Sequence, residues 1–509
     1  MNLDNHILAV VEPAILPTEI KFDALTEESG SENVDKQSKE VGVMEPFILC
    51  NDIIIPRNDI LNIELELGGT TPRCTVTFND REGNFTVDSV PRDGDFFTLL
   101  LNSKNQETFK SIHMDFDIIE VDTGEMPGKV PGGRPITLEG LSKIPKLFGE
   151  ECQVLDADTS LNHLEKLARD LQIGLATNVD ATDDSQSRIQ AYETYLDFIK
   201  SIVGDAYISD DSFVKYYIDQ YYYLNFIDVN KIFNAPNESL EDVMKSLTTT
   251  SISETSQKGT PEGDTDPDNL EVPFLLTNHM DFDSVNCFIE EHQVINNSQQ
   301  ISLAAGNSRN IQYYDNNSDA GDRFQEFTIE PLQTEELLDS EMPLKGNPKD
   351  ERYKDQVKYK YMGRQNAGDD GLGNTHPNAL YTKLHNKQNE LEVEKMKLVV
   401  KCAGFNPAVY KFCKIPVLMY HYDAIKIEAE KTADRFKEEA GLKDKPVGIE
   451  ETTNVPEKDY SQMLDKFLSG HYIVENIDYI YTADKGMQTK ITLISREWPV
   501  RSSTLRPEN

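Results

Sequence analysis

The chain has 509 residues, room for about three or four domains of ordinary size, and its 89 Asp and Glu against 50 Lys and Arg leave a formal charge of −39. A surface this acidic excludes a general nucleic-acid binder, which needs basic side chains to displace phosphate counterions, and it is repelled by an acidic membrane. No stretch reaches the roughly 18 apolar residues of a membrane span, and the apolar run Ile7 to Leu16 is broken by Glu12 and Pro13 with no preceding Lys or Arg.

Although only 38% of residues are hydrophobic, 22 Phe and 21 Tyr supply buried area, so the chain reads as globular with disordered insertions. Six scattered cysteines (Cys50, Cys74, Cys152, Cys287, Cys402, Cys413) contain no C-x-x-C pair, which fits a reducing compartment and gives no zinc-finger spacing.

In chain order, residues 1–42 carry nine acids against Lys21, Lys36 and Lys39 and read as an acidic flexible arm. From 43 to 149 the hydrophobic period is two: Leu61, Ile63, Leu65 and Leu67 alternate with Asn62, Glu64 and Glu66, and Cys74, Val76 and Phe78 with Thr75 and Thr77. This predicts an antiparallel, barrel-like β domain. From 150 to 235 helical spacing appears. Leu161, Leu164, Leu167, Ala168 and Leu171 form one face, with Asp158 or Thr159 as N-cap and Gly174 as stop. Tyr192, Tyr195, Leu196, Ile199 and Ile202 form a second, ending at Gly204, so a small α/β domain is expected.

Residues 236–273 are rich in Pro, Gly, Ser, Thr and acids and read as a disordered acidic insertion. A β segment follows at 274–334 and a polar loop region at 335–394, the latter holding RQNAGDDGLGNTHPN. A second β domain spans 395–498 (MKLVVK, KIPVLMY, YIVENIDYI, KITLIS), interrupted by a charged helical insertion at 424–440, and 499–509 is a tail. The fold class is therefore mainly β with α+β parts.

The sequence holds no H-E-x-x-H, G-x-S-x-G, phosphate loop or dinucleotide fingerprint, so no enzyme, and no cofactor, is expected. One string, HMDFD, occurs at 113–117 and again at 279–283. On a strand, His113, Asp115 and Asp117 share one face, as do His279, Asp281 and Asp283, which makes them candidate metal ligands. The alternative, preferred here, is that they form the wet side of an amphipathic strand. The aromatic cluster Tyr207, Phe213, Tyr216, Tyr217, Tyr221, Tyr222, Tyr223 and Phe226 has little interleaved positive charge and reads as packing rather than base stacking.

Three stretches resemble the central hub proteins of contractile-tail baseplates, the family of myophage tail hubs and of the hub part of type VI secretion spikes. The first is SLNHLEKLARDLQIGLATN with the aromatic block YETYLDFIKSIVGDAYISDDSFVKYYIDQYYYLNFIDVNKIF. The second is FLLTNHMDFDSVNCFIEEHQVINNSQQISLAAGNSRNIQYYD, where Thr277, Asn278, Gly306, Tyr314 and Asp315 fit the pattern. The third is LVVKCAGFNPAVYKFCKIPV with FLSGHYIVENIDYIYTADKGMQTKITLISREW, in which Ser469 and Gly470 open a long hairpin and Tyr472 and Val474 alternate with Ile473 and Glu475.

The resemblance implies two tail-tube-like antiparallel β-barrel domains per chain and a homotrimer whose six similar units adapt a trimeric central spike to a hexameric tail tube. It implies as partners the spike, the tail tube or a tube-initiator ring, baseplate wedge proteins and the tape-measure protein, with DNA passing through but not specifically bound and no membrane contact. The expected location is the virion tail baseplate, assembled in the cytoplasm of the bacterial host. The alternatives are a hub of a bacterial contractile injection system and, in a different class, a metal-dependent or glycan-cleaving baseplate enzyme.

Overall fold

A computed structural model describes residues 7–20, 44–81, 83–85, 89–92, 94–103, 111–124, 133–209, 212–235, 275–278, 288–296, 309–314, 324–329, 356–357, 396–404, 409–421, 464–465 and 468–495. The expected insertion 236–273, the charged helix 424–440, the tail 499–509 and nearly all of the polar region 335–394 lie outside the described residues.

Strand β1 (Leu8–Val11) is followed by the first β region: β2 (Met44–Cys50), β3 (Ile53–Ile55), β4 (Ile60–Glu66), β5 (Arg73–Asp80), β6 (Phe96–Ser103), β7 (Ile112–Thr123) and β8 (Arg134–Ser142). The middle region holds β9 (Glu150–Thr159), α1 (Ser160–Asp170), β10 (Gly174–Thr177), β11 (Ser185–Thr194), α2 (Tyr195–Asp205), β12 (Val214–Ile218), β13 (Tyr223–Asp228) and α3 (Val229–Phe233). Then come β14 (Leu276–Thr277), β15 (Ile289–Asn296), β16 (Arg309–Tyr314), β17 (Phe324–Ile329) and β18 (Gln356–Val357). The last region comprises β19 (Met396–Ala403), β20 (Lys414–Leu418), β21 (Gly470–Thr482) and β22 (Gly486–Ser495).

The fold is mainly β, and its largest sheet follows from the alternation in sequence. Along β5 the even positions Cys74, Val76, Phe78 and Asp80 are buried, and along β19 Met396, Leu398, Val400 and Cys402 are. The two β regions are joined edge to edge: the order β15-β19-β22-β21-β4-β5-β8-β7-β6-β2-β3, with β14 and β20 attached beside β21, makes one 13-stranded sheet. The smaller β16, β17 and β18 form a three-stranded sheet of their own.

The middle region is a four-stranded sheet, β1-β10-β13-β12, with α1 and α2 packed by the faces read from the sequence, except that Tyr192, expected on the second helix, lies in β11 and is exposed because α2 starts only at Tyr195. Thr159 is the N-cap of α1, its hydroxyl accepting the Asn162 amide, and Thr194 caps α2 through the Asp197 amide. The stop differs from expectation, because Gln172, not Gly174, takes the left-handed conformation (φ 60°) after α1. Gly174 instead permits close approach within the sheet, since a Cβ there would lie 2.4 Å from the Tyr223 ring and 2.9 Å from the Val11 carbonyl.

Part of the acidic arm is ordered. Strand β1 adds antiparallel to the edge of β10, the amides of Ala14 and Ile15 donate to the Gln172 carbonyl, and Ile20 is buried. The segment from 7 to 20 thus straps the middle domain to the first β region. Cys50, Cys74, Cys402 and Cys413 are buried free thiols, as their neighbours in sequence suggest, whereas Cys152 is exposed.

Candidate functional site

The feature that organises the molecule is the seam where β4 and β21 pair antiparallel: Asn62 opposite Thr482, Ile63 opposite Tyr481, Glu64 opposite Ile480, Leu65 opposite Tyr479 and Glu66 opposite Asp478. Because strand side chains alternate, Ile63, Leu65, Tyr479 and Tyr481 all go to one face and are buried there. The other face carries Glu64, Glu66 and Asp478, with Lys490 of β22 3.6 Å from Asp478 and an Arg73–Glu139 ion pair beside them. One side of the seam is thus a hydrophobic core and the other is polar, exposed at Glu66, half-buried at Glu64 and buried at Asp478.

The end of the seam is tightly fitted. A Cβ on Gly68, two residues past β4, would come within 2.7 Å of the Asn476 side-chain amide nitrogen, so a larger residue there would push Asn476 aside. Asn476 follows a register shift in β21 and donates to Asp478 at 2.9 Å.

A second lock comes from the middle domain. Phe213, Tyr217, Ile227 and Phe233 share a buried cluster with Phe412, Ile473 and Ile494, which seats that domain on the face of β21 and β22 that also carries Asp478 and Lys490. Lys411 sits at the three-way junction, donating to the Leu67 carbonyl at 2.9 Å with its ammonium 4.2 Å from the centre of the Tyr217 ring. Burial pulls its pKa down to about 8 despite the carboxylate of Glu475. Lys414 donates to the carbonyls of Phe233 and Ala235 at 2.9 and 2.8 Å, tying β20 to the end of α3.

The hairpin residues singled out from the sequence meet at one place. The Ser469 hydroxyl accepts the Met419 amide and donates to the Met419 carbonyl, both at 3.0 Å. Asn278 bonds the next residue in the same reciprocal way, accepting the Tyr420 amide at 2.7 Å and donating to its carbonyl at 3.0 Å. Gly470 pairs with Val417, the Tyr472 hydroxyl donates to the Leu468 carbonyl at 3.1 Å, and Val474 exchanges backbone hydrogen bonds with Phe412 and Cys413. These are structural roles: Ser469 and Asn278 hold the end of β20 between β14 and β21.

The HMDFD strings do not come together as a ligand set. His279, Asp281 and Asp283 lie outside the described residues. His113, Asp115 and Asp117 do share a face of β7, but at Asp115 that face is covered rather than wet, because the strap crosses it. The Asp115 carboxylate accepts from the Thr18 amide (3.1 and 3.2 Å), the Thr18 hydroxyl (2.9 Å) and the Thr98 hydroxyl (2.7 Å), and its own amide donates to the Tyr222 hydroxyl at 2.8 Å. His113 Nε2 donates to the Thr18 carbonyl at 2.9 Å. Burial raises the Asp117 carboxyl, with Lys143 acting against it. Among the described residues no three His, Cys, Asp or Glu gather as a metal site requires.

The aromatic cluster is packing material: Phe213, Tyr217, Tyr222 and Phe226 are buried, with Tyr222 reaching Asp115 and Tyr217 beneath Lys411. Lys411 and Thr18 were not legible as site residues. Their partners Leu67 and Asp115 are far away in sequence, and no local pattern links them.

No family model matches the chain, and no curated protein matches it in sequence. Several solved structures align with much of the chain at low identity. A tail protein from Neisseria meningitidis is 10% identical with a TM-score of 0.45, over 89% of this chain and 96% of the other. A 43 kDa prophage tail protein from Shewanella oneidensis is 8% identical with a TM-score of 0.47, over 89% and 98%. An E. coli component of the type VI secretion system, described as structurally similar to T4 bacteriophage tail proteins, is 9% identical with a TM-score of 0.38, over 90% and 80%.

Proposed function

We propose that the protein is a structural baseplate hub of a contractile phage tail, a homotrimer that joins a threefold central spike to a sixfold tail tube. The observation that carries this reading is the seam: one chain holds two antiparallel β regions side by side in a single sheet, so three chains present six β units around one axis. Duplication within the chain resolves the symmetry mismatch that a spike and a tube create. The three sequence stretches that resemble hub proteins fall in the middle domain, around β14 to β16, and in the last β region, where they build the locks on that sheet.

In this reading the polar face of the sheet lines the bore. Glu64, Glu66 and Glu139 lie on that face, and three copies carry three times the chain's formal −39. Such a wall repels DNA phosphates, so the genome slides through without being held. The chain acts by shape and charge, and no catalytic step is assigned to it. Its location is the virion tail and its neighbours are the spike and the tube.

The test is the mass of the purified chain by light scattering, alone and with a candidate trimeric spike. Three chains of 57.7 kDa make about 173 kDa, and this species should gain one spike trimer. A chain that stays monomeric with the spike present would overturn the reading, and export of protein effectors rather than DNA by the native particle would move it to a bacterial injection system.

A further inference from the structure

Strands β9 and β11 form a two-stranded antiparallel ribbon that pairs with no other strand among the described residues. Its inner face is polar. Gln153 donates to Gln190 at 2.6 Å, and the buried Arg188 reaches Asp205 and the Ser160 hydroxyl at 3.3 and 2.9 Å. Its outer face is the reverse of what a solvated ribbon needs. Val154 and Ile189 are directly opposite one another and 68% and 66% exposed, with Cys152 opposite Ala191 as the next exposed pair.

Beside this apolar strip stands Tyr192, 80% exposed and held at φ 55° in the register shift between Ala191 and Glu193. A positive φ on a bulky residue is strained, and the bulge spends that strain on turning an aromatic ring outward. An apolar centre with an outward aromatic is the composition of an interface core. The border is acidic: Glu150, Glu151, Asp156 and Glu193 edge the strip, and the ribbon's one cation, Arg188, is turned inward.

We propose that the outer face of the β9–β11 ribbon docks a different protein, whose contact surface is an apolar strand or patch bordered by Lys and Arg. The charge of the rim selects this occupant. A second copy of the ribbon would set Glu150, Glu151 and Glu193 against the same acidic rim, whereas a basic-rimmed partner pairs with them while covering Val154, Ile189 and Tyr192. The inference adds a binding face to the hub reading and rests on the ribbon geometry, not on the trimer.

The probe is a short synthetic peptide alternating Lys and Ile, compared by fluorescence anisotropy with the same peptide carrying Glu for Lys and with one carrying Ser for Ile. The full chain should bind the Lys–Ile peptide most tightly, and the exposed-face variants Ile189→Ser and Tyr192→Ser should each weaken it by about tenfold. The rim variant Glu151→Gln should weaken binding and flatten its salt dependence. Circular dichroism melting of each variant verifies that the fold is kept.

Equal binding of the Lys and Glu peptides, or binding that ignores all three substitutions, would overturn the proposal. So would a change of oligomeric state by light scattering in Ile189→Ser, which would make the ribbon a contact between copies. A monomeric chain that still binds the Lys–Ile peptide through the ribbon would sink the trimeric hub and leave the docking face standing.

Discussion

The seam and the ribbon are both antiparallel strand pairs, yet they treat their side chains in opposite ways. At the seam Ile63, Leu65, Tyr479 and Tyr481 close over one another and are buried, and the opposite face is left to Glu64, Glu66 and the buried Asp478. At the ribbon the polar residues Gln153, Gln190 and Arg188 turn inward, and Val154, Ile189 and Tyr192 face solvent. A strand pair that is complete within its chain hides its apolar face. A pair that shows it is complete only with a partner, because exposed apolar surface of this kind is retained where something covers it.

The contrast can be broken first at the seam. Tyr479→Ala should remove a buried ring from the junction of the two β regions and cost roughly 3–5 kcal/mol, read as a lower urea midpoint. If the two β regions then unfold in separate steps, the seam is what makes them one cooperative unit.

The strap is the next largest effect. Asp115→Ala strips the acceptor from the Thr18 amide and from two hydroxyls, and about 1–3 kcal/mol should be lost, with amide exchange accelerated at residues 14–20 while the β7 core stays protected. Unchanged exchange in the strap would mean that β1 and Ile20 hold it without Asp115.

Asp228 offers a pH test in the domain that backs the seam. It caps α3 and accepts the amides of Phe213 and Asn230, and burial raises its carboxyl from 3.8 to about 6. The folded state therefore holds the proton more tightly than the unfolded chain. The stability this supplies is present in full below about pH 4 and is lost as pH rises through about 6. In Asp228→Asn, which keeps an acceptor for the cap, this fall should disappear, so wild type should weaken relative to the variant between pH 4 and 6. A constant difference across that range would contradict the assignment.

The smallest effect sharpens the comparison from the other side. Ile189→Ser should change the stability of the isolated chain by no more than about 0.5 kcal/mol, since the side chain is mostly exposed. A loss as large as that at Tyr479 would mean that the ribbon face is already covered within the chain.

Much of the fold was legible because its cues are local. Alternation along Leu61 to Leu67 and Cys74 to Phe78 marked β4 and β5, and Thr159 announced the start of α1. What could not be read is what depends on distant pairs. Nothing near Glu66 says that it will face Asp478, and nothing near Thr18 says that it will cap Asp115, so neither the joining of the two β regions into one sheet nor the strap formed by part of the arm was legible. The HMDFD string shows the same limit: the strand's period was plain, but whether its polar side met water was decided by a segment 95 residues earlier. Asn278 and Ser469 were found only through resemblance, since a polar residue that ties off a strand end looks in sequence like any loop residue.

The measurement that tests the central claim most directly is electron microscopy of the purified chain viewed end on. A ring of six β units in threefold arrangement, with an open acidic bore, is the predicted result. Particles showing a single pair of β units, with no ring at any concentration and none in the presence of the spike, would contradict it.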